Sequence, residues 1–514
     1  MNRPMRWIPA WLVLGGLIAV CGSAAGVSTG HLGPFGVPQV IDNDTLIDVN
    51  NIAMYVTNRG GFSRDLESPG GPSGLFFPRG TDKTAVYAAG LWFGATVNGE
   101  TRVTIAEYDL EFTPGIIYED GSWDNPADPR LRVYKVTKGD TESDDYVNWP
   151  VSDGAPVDGN GDPLITGDQM LWAVFNDADP TVHSNSAGNT DPLMIEVRQS
   201  TFAFDRPAPL GNMVFVRLDI TDRGTDTLED CFVSLWSDPD LGGATDDLVG
   251  CDTLRSLGFC YNANNEDEIY GSAPPAVGYD FFQGPIVPSV GDTAYVSGEM
   301  VLDYRNLPMT SFNKYINGTD PDSPIASYNY MRGLDRDGSV LIDPVTGQET
   351  TFFHPGDPVE ETGWLDTNPA DRRLMLSSGP FTMEPGDEQQ VVVAIILAQG
   401  SDRQASVELL KVYDDQAQAV FDANFDLPSA PPRPTLWAQE QDGAIELIWS
   451  TDALGDVQVS EVLDEEYHHQ GYNLYQGESI AGPWKKIATY DIPDSIALIY
   501  GNVFDVDAGG TQQV

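Results

Sequence analysis

Strand-length runs of β-branched and aromatic residues, each closed by a Gly-, Pro- or Asp-rich turn, recur along most of this chain and restrict it to an all-β fold. Val86–Val97 (VYAAGLWFGATV) is one such run. Asn98-Gly99 then offers a type I′ hairpin turn, and Arg102–Tyr108 continues with Val103 and Ile105 on one face. Leu131–Val136, Met170–Phe175, Ile195–Phe204, Met213–Ile220 and Cys231–Trp236 have the same character. Turn clusters such as Asp158-Gly159-Asn160-Gly161-Asp162 and Thr221-Asp222-Arg223-Gly224 lie between them. Without helices alternating between strands, the pattern predicts multidomain β-sandwiches and not a doubly wound sheet.

Gln389–Ala398 (QQVVVAIILA) is apolar almost throughout, which predicts a central strand buried on both faces. The one helical pattern follows. Val407, Leu410, Ala417, Val420 and Phe421 recur at helical spacing, Ser401 and Gln404 form a capping box, and Asp402 falls in the first turn. The spacing predicts a helix over 402–423, packed against the preceding sandwich.

At 514 residues the chain exceeds the roughly 250–300 at which a single core stops growing, so more than one domain is expected. Pro428 and Pro431-Pro432-Arg433-Pro434 make a stiff linker over 426–434. It separates a region 27–425, one or two sandwiches with a division open near 205–212, from a C-terminal domain at 435–514.

There are 78 acidic against 27 basic residues, a net charge of −51. Such a field repels nucleic acid and anionic lipid headgroups, and fits a cation-rich exterior or bound calcium. Arg3 and Arg6 precede an apolar stretch, Trp7–Val20, and Ser23-Ala24-Ala25 supplies small residues for cleavage. Residues 1–25 thus read as a secretory signal peptide; a lipoprotein signal ending at Cys21 is the rival reading. No other segment is apolar enough to span a membrane. Beyond residue 25 only Cys231, Cys251 and Cys260 remain. Cys251 and Cys260 either close a small loop or, with Cys231, act as buried thiols.

In the C-terminal domain, Ala444–Ser450 (AIELIWS), Gly471–Tyr475 (GYNLY) and Pro483–Ala488 (PWKKIA) read as strands. With the Pro-rich lead-in, Trp449, Tyr472 and Tyr475, this region resembles a fibronectin type III module, which implies an immunoglobulin-like sandwich. It departs from the module in an acidic insertion at 451–470 and in ending near Phe504-Asp505-Val506-Asp507, so the module is expected to be incomplete here. The stretches KTAVYAAGLWFGATVNGE, SDPDLGGATDDLVGCDTLRSLGFCYN, APPAVGYDFFQGP and SSGPFTMEPGDEQQVVVAIILAQGSDR resemble large secreted proteins of Gram-negative bacteria that carry such modules, often with a C-terminal sorting domain. That resemblance implies a surface location and brings no activity.

Calcium is the sharpest chemical expectation. A hard cation takes six to eight oxygens, best supplied by closely spaced aspartates on a turning backbone. Asp238, Asp240, Asp246, Asp247 and Asp252 form the densest such cluster, and repel one another unless solvated or neutralised. The cluster is therefore either a calcium loop or an exposed acidic loop. Asp158–Asp162 has EF-hand-like spacing, but Pro163 and Gln169 stand where glycine and glutamate are required, so a plain turn is expected. Asp335, Asp337 and Asp343 form a weaker version.

There is no HExxH, phosphate-cradling loop or GxSxG elbow. His183 and His354 read as ordinary loop residues. Trp92, Trp172 and Trp236 sit in strand patterns and are expected in cores, whereas Trp123 and Trp149 lie in polar loops and are candidates for sugar stacking. The sequence thus predicts a secreted or cell-surface structural or adhesive β protein, not an enzyme, with surface proteins or extracellular glycans as partners. The alternative is a carbohydrate-binding module or a glycoside hydrolase component, which requires exposed Trp beside two carboxylates.

Overall fold

The computed structural model describes residues 42–66 and 74–426, and the strands 435–441, 444–450, 471–477, 484–491, 502–505 and 510–513. The signal-peptide segment, most of the Pro-rich linker and the insertion at 451–470 lie outside the described residues.

The principal strands are β1 (Ala88–Val97), β2 (Gln169–Asn176), β3 (Ile195–Ala203), β4 (Met213–Asp222), β5 (Leu228–Asp238), β6 (Asp247–Asp252) and β7 (Leu257–Asn262). They continue with β8 (Ala276–Gln283), β9 (Ile286–Val296), β10 (Glu299–Asn306), β11 (Ser311–Ile316), β12 (Arg372–Met383) and β13 (Glu388–Ala398). Two longer helices are α1 (Pro324–Met331) and α2 (Arg403–Asp422).

Two large antiparallel sheets hold nearly all of them. The first runs β11-β12-β5-β1 and on into short strands between Ala53 and Val86, with Glu100–Ile105 hairpinned to β1. Asn98 and Gly99, at φ 52° and 83°, make that hairpin turn, where left-handed backbone favours Asn and Gly. The second runs β6-β7-β8-β13-β4-β3-β2 and ends at Thr113–Pro114. The stretch 205–212, where a division was open, joins neighbouring strands β3 and β4 of this sheet, so no domain boundary falls there.

Alternation along the strands builds three cores. Leu91, Phe93, Val233, Leu235, Leu374 and Leu376 of the first sheet meet Val214, Val216, Val391, Val393 and Ile395 of the second. The outer face of the second sheet buries Phe202, Phe215, Val392, Ala394 and Ile396 under Val407, Leu410, Tyr413 and Ala417 of α2. The outer face of the first buries Trp92, Trp236, Tyr315 and Met375 under Tyr328, Tyr330 and Met331 of α1. Because α2 covers a sheet already packed on its other side, β13 is apolar at successive positions and buried from Gln389 to Ala398.

Helix α2 begins one residue later than expected. Its cap is Asp402, whose carboxylate accepts from the backbone N–H groups of Gln404 and Ala405. Asp402 is therefore the N-cap and not a first-turn residue, because its extended backbone (φ −158°) aims the side chain back at the orphan donors.

Beyond residue 434 the described strands form three antiparallel hairpins, 435–441 with 444–450, 471–477 with 484–491, and 502–505 with 510–513. No helix among the described residues is long and apolar enough to cross a membrane.

Candidate metal centre

Strand β5 is held to its last residue by its aromatics. Trp236 is fully buried, stacks on Trp92 at 6.2 Å and donates from Nε1 to Tyr315 OH at 2.6 Å. Two residues on, Asp238 ends the strand, still paired with Ala88, with its carboxyl pinned inside the protein, and Leu241, also fully buried, brings the loop back onto the domain. Neighbouring β12 pairs antiparallel with β5 in a register that places Ser237 opposite Leu374. The same register sets Asp238 by Arg373 and, continued past the strand ends, Asp240 by Asp371.

The side chains follow it. Oxygens of Asp238, Asp240 and Asp371 lie within 4.8 Å of one another. Asp238 is 1% exposed; its Oδ2 accepts from Tyr108 OH at 2.5 Å and from Arg373 Nη2 at 3.1 Å. Arg373 also binds Asp371 and comes within 4.0 Å of Asp320. Four carboxylates thus face one guanidinium. Asp238 Oδ1 and Asp240 Oδ1 are both sealed from solvent and accept from no N–H or O–H donor of the fold; the two carboxyls stand against each other. Buried carboxylate oxygens in that condition are costly, and are ordinarily paired with a proton or a cation.

The electrostatics agree. Burial pushes the Asp238 carboxyl well above its usual range, and the charge of Asp240 adds to this. Asp240 is raised by burial and then by Asp371. Tyr108 is raised by burial and by Asp238. Burial opposes the charge on Arg373, but Asp238, Tyr108 and Asp371 outweigh it and hold the guanidinium protonated. A hard cation coordinated here would take up these sealed oxygens and remove the mutual repulsion of the carboxylates, with water completing its shell.

Of the five aspartates singled out in the sequence, the structure gathers Asp238 and Asp240. Asp247 is buried behind them, its Oδ2 accepting from Leu241 N at 3.2 Å, and burial raises its carboxyl well above the usual range. Asp246 lies in the short turn Ala244–Asp246, half-buried, and is also raised by burial. Asp252 ends β6 in an ion pair with Arg255 at 2.8 Å. Neither Asp246 nor Asp252 joins the triad, because β6 carries the chain away into the other sheet. Tyr108, Asp320, Asp371 and Arg373 were missed. They lie far from β5 in sequence, and only strand pairing brings them in.

The remaining motifs settle into simpler roles. Asp158 Oδ1 accepts from the N–H groups of Asn160 and Asp162, an exposed turn whose hydrogen bonds lower the Asp158 pKa. Asp335 N donates to Ser339 O at 2.9 Å in another exposed turn. Trp149 was expected in an open loop but is 8% exposed. Its loop folds onto the outer face of the second sheet, where the ring packs on Tyr134 and Trp172 and Nε1 donates to Pro156 O at 2.9 Å. Trp123 is half-buried. Trp92, Trp172 and Trp236 are core residues. His183 and His354 are buried rather than sitting in open loops. His183 Nε2 lies 2.8 Å from Asp177 O, and burial lowers His354 to about 4. Cys231, Cys251 and Cys260 are buried free thiols, so no disulfide closes the loop between the last two.

No family model matches the sequence. A search of the curated proteins finds no match.

Proposed function

We propose that this is a secreted or surface-displayed structural β protein, without catalytic activity, whose sandwich is stabilised by a divalent cation, calcium, held by Asp238, Asp240 and Asp371. The observation that carries this reading is the pair of solvent-sealed carboxylate oxygens on Asp238 and Asp240, standing against each other beside a third aspartate. The ligands come from the ends of paired strands, so an ion there ties β5 to β12 and the loop that follows β5. The N-terminal leader-like segment, the acidic surface and the fibronectin-like C-terminal region support an exterior setting, with surface proteins or extracellular glycans as partners and nucleic acid disfavoured by charge. The carbohydrate-active alternative loses support with the burial of Trp149.

Thermal unfolding with calcium and with chelator tests this directly. Calcium at about 100 times its Kd is expected to add about 2.7 kcal/mol, a shift of several degrees. Asp238→Asn with Asp240→Asn is expected to abolish the shift, and Asp246→Asn with Asp252→Asn to leave it intact. Coincident curves at millimolar calcium would overturn the proposal.

A further inference from the structure

On the face of β4 turned away from the inter-sheet core, Phe215, Arg217 and Asp219 follow one another at alternate positions. Phe215 belongs to an aromatic cluster with Phe202, Phe282 and Phe425. Asp219 accepts from Gln390 Nε2 at 2.7 Å. Arg217 has no equivalent. Its guanidinium makes neither a hydrogen bond nor an ion pair within the described residues; its Nε is sealed from solvent, and the group lies over the Phe202 ring at 5.8 Å. In a chain with 78 acidic and 27 basic residues, a half-buried arginine whose guanidinium no carboxylate contacts, with only the more distant charge of Asp219 acting on it, is conspicuous. Burial lowers its pKa, so the position charges the fold a cost.

Arg217 opens onto a cavity of about 540 Å³ between the C-terminal end of α2 and the β9–β10 hairpin. Phe282, Phe421, Phe425 and Tyr295 form its apolar walls. Phe282 and Phe421 stack at 5.8 Å. Among the described residues that line it, Arg217 is the one cation and Asp422 the one acid. The volume suits a small organic molecule, and aromatic walls with a few placed polar groups, here Arg217 and Asp422 with Gln283, Gln390 and Gln418, are how such sites fix orientation. A guanidinium fork matches a carboxylate in two parallel hydrogen bonds.

We propose that this cavity binds a small aromatic carboxylic acid, its carboxylate on Arg217 and its ring system among Phe282, Phe421 and Phe425. The ligand supplies the hydrogen-bonded carboxylate that neither Asp219 nor Asp422 provides to Arg217. The site is independent of the aspartate triad, and neither depends on the other.

Biphenyl-4-carboxylate, titrated calorimetrically into the full chain, is the probe, with the neutral 4-(hydroxymethyl)biphenyl as control. Saturable binding of the acid is expected, at least about tenfold tighter than the alcohol, with the difference lost in Arg217→Gln. Arg217→Lys keeps the charge but loses the fork, and is expected to fall between; it also serves if Arg217→Gln does not fold. Tyr295→Ala, on an exposed part of the hairpin, is expected to weaken acid and alcohol alike. Equal affinity for acid and alcohol, unchanged binding in Arg217→Gln, or no saturable binding would overturn the proposal. Arg217 would then be a side chain that covers the Phe202 ring and nothing more.

Discussion

Asp158–Asp162 and Asp238–Asp247 are both loops dense in aspartate, and they treat their charges in opposite ways. In the first, Asp158 is exposed and its carboxylate is satisfied by the backbone of its own turn, which lowers its pKa. In the second, Asp238 and Asp247 are buried to 1% exposure or less and are driven upward by desolvation. Aspartate density alone therefore says little about cation binding. What separates the loops is whether the strand leading in is anchored in a core that drags the carboxylates out of water.

That difference can be attacked at the anchor. Trp236→Ala removes a fully buried indole that fixes the end of β5, and is expected to destabilise the protein by about 3–5 kcal/mol in denaturant titration. It should also shrink the calcium-dependent shift. Loss of stability with the shift unchanged would mean that the anchor does not position Asp238.

The pH dependence sharpens the contrast. A carboxyl whose folded pKa is raised keeps its proton in the native state after the unfolded chain has lost it. Its contribution to stability is thus complete below the unfolded pKa and declines as pH rises through the folded value. Glu107 and Glu111, both pushed up to about 7 mainly by burial, place that decline between about 4.5 and 7. Asp247 acts in the same direction. Asp247→Asn is therefore expected to match the parent protein near pH 3, below the unfolded value of 3.8, and to exceed it in stability at pH 8, measured without calcium. Parallel stability curves for the two proteins would show that Asp247 ionises freely.

Asp402 stands between the two loops, satisfied by backbone donors yet tied to a packed helix. Asp402→Ala is expected to cost about 1 kcal/mol. The smallest effect belongs to Asp158→Asn, expected to leave the unfolding midpoint and the calcium response where they are in the parent protein. A lowered midpoint there would mean that the exposed turn does more than close on itself.

Much of the fold could be read from local pattern. The strand segments, the Asn98-Gly99 hairpin, the doubly buried β13 and helix α2 each carry their signal within a dozen or two residues, where side-chain periodicity and turn chemistry act. The candidate site was only half legible. Asp238 and Asp240 announce themselves, but Asp246 and Asp252 carry the same local signal and stand elsewhere. Trp149 was misplaced for a related reason, since polar neighbours in sequence conceal a loop that folds onto an apolar sheet.

By itself the sequence determined an all-β antiparallel architecture, one long amphipathic helix after the last sandwich strand, and a strongly acidic balance of charge. These follow from periodicity, turn residues and charge, which are properties of neighbouring residues. The tertiary structure decided that strands before and after 205–212 share one pair of sheets. It also decided that Asp371 and Arg373 meet Asp238, and that the Arg217 guanidinium opens onto a cavity without a hydrogen-bond partner among the described residues. Those outcomes depend on strand register between distant segments and on how far each charge is withdrawn from water, neither of which is a property of neighbouring residues.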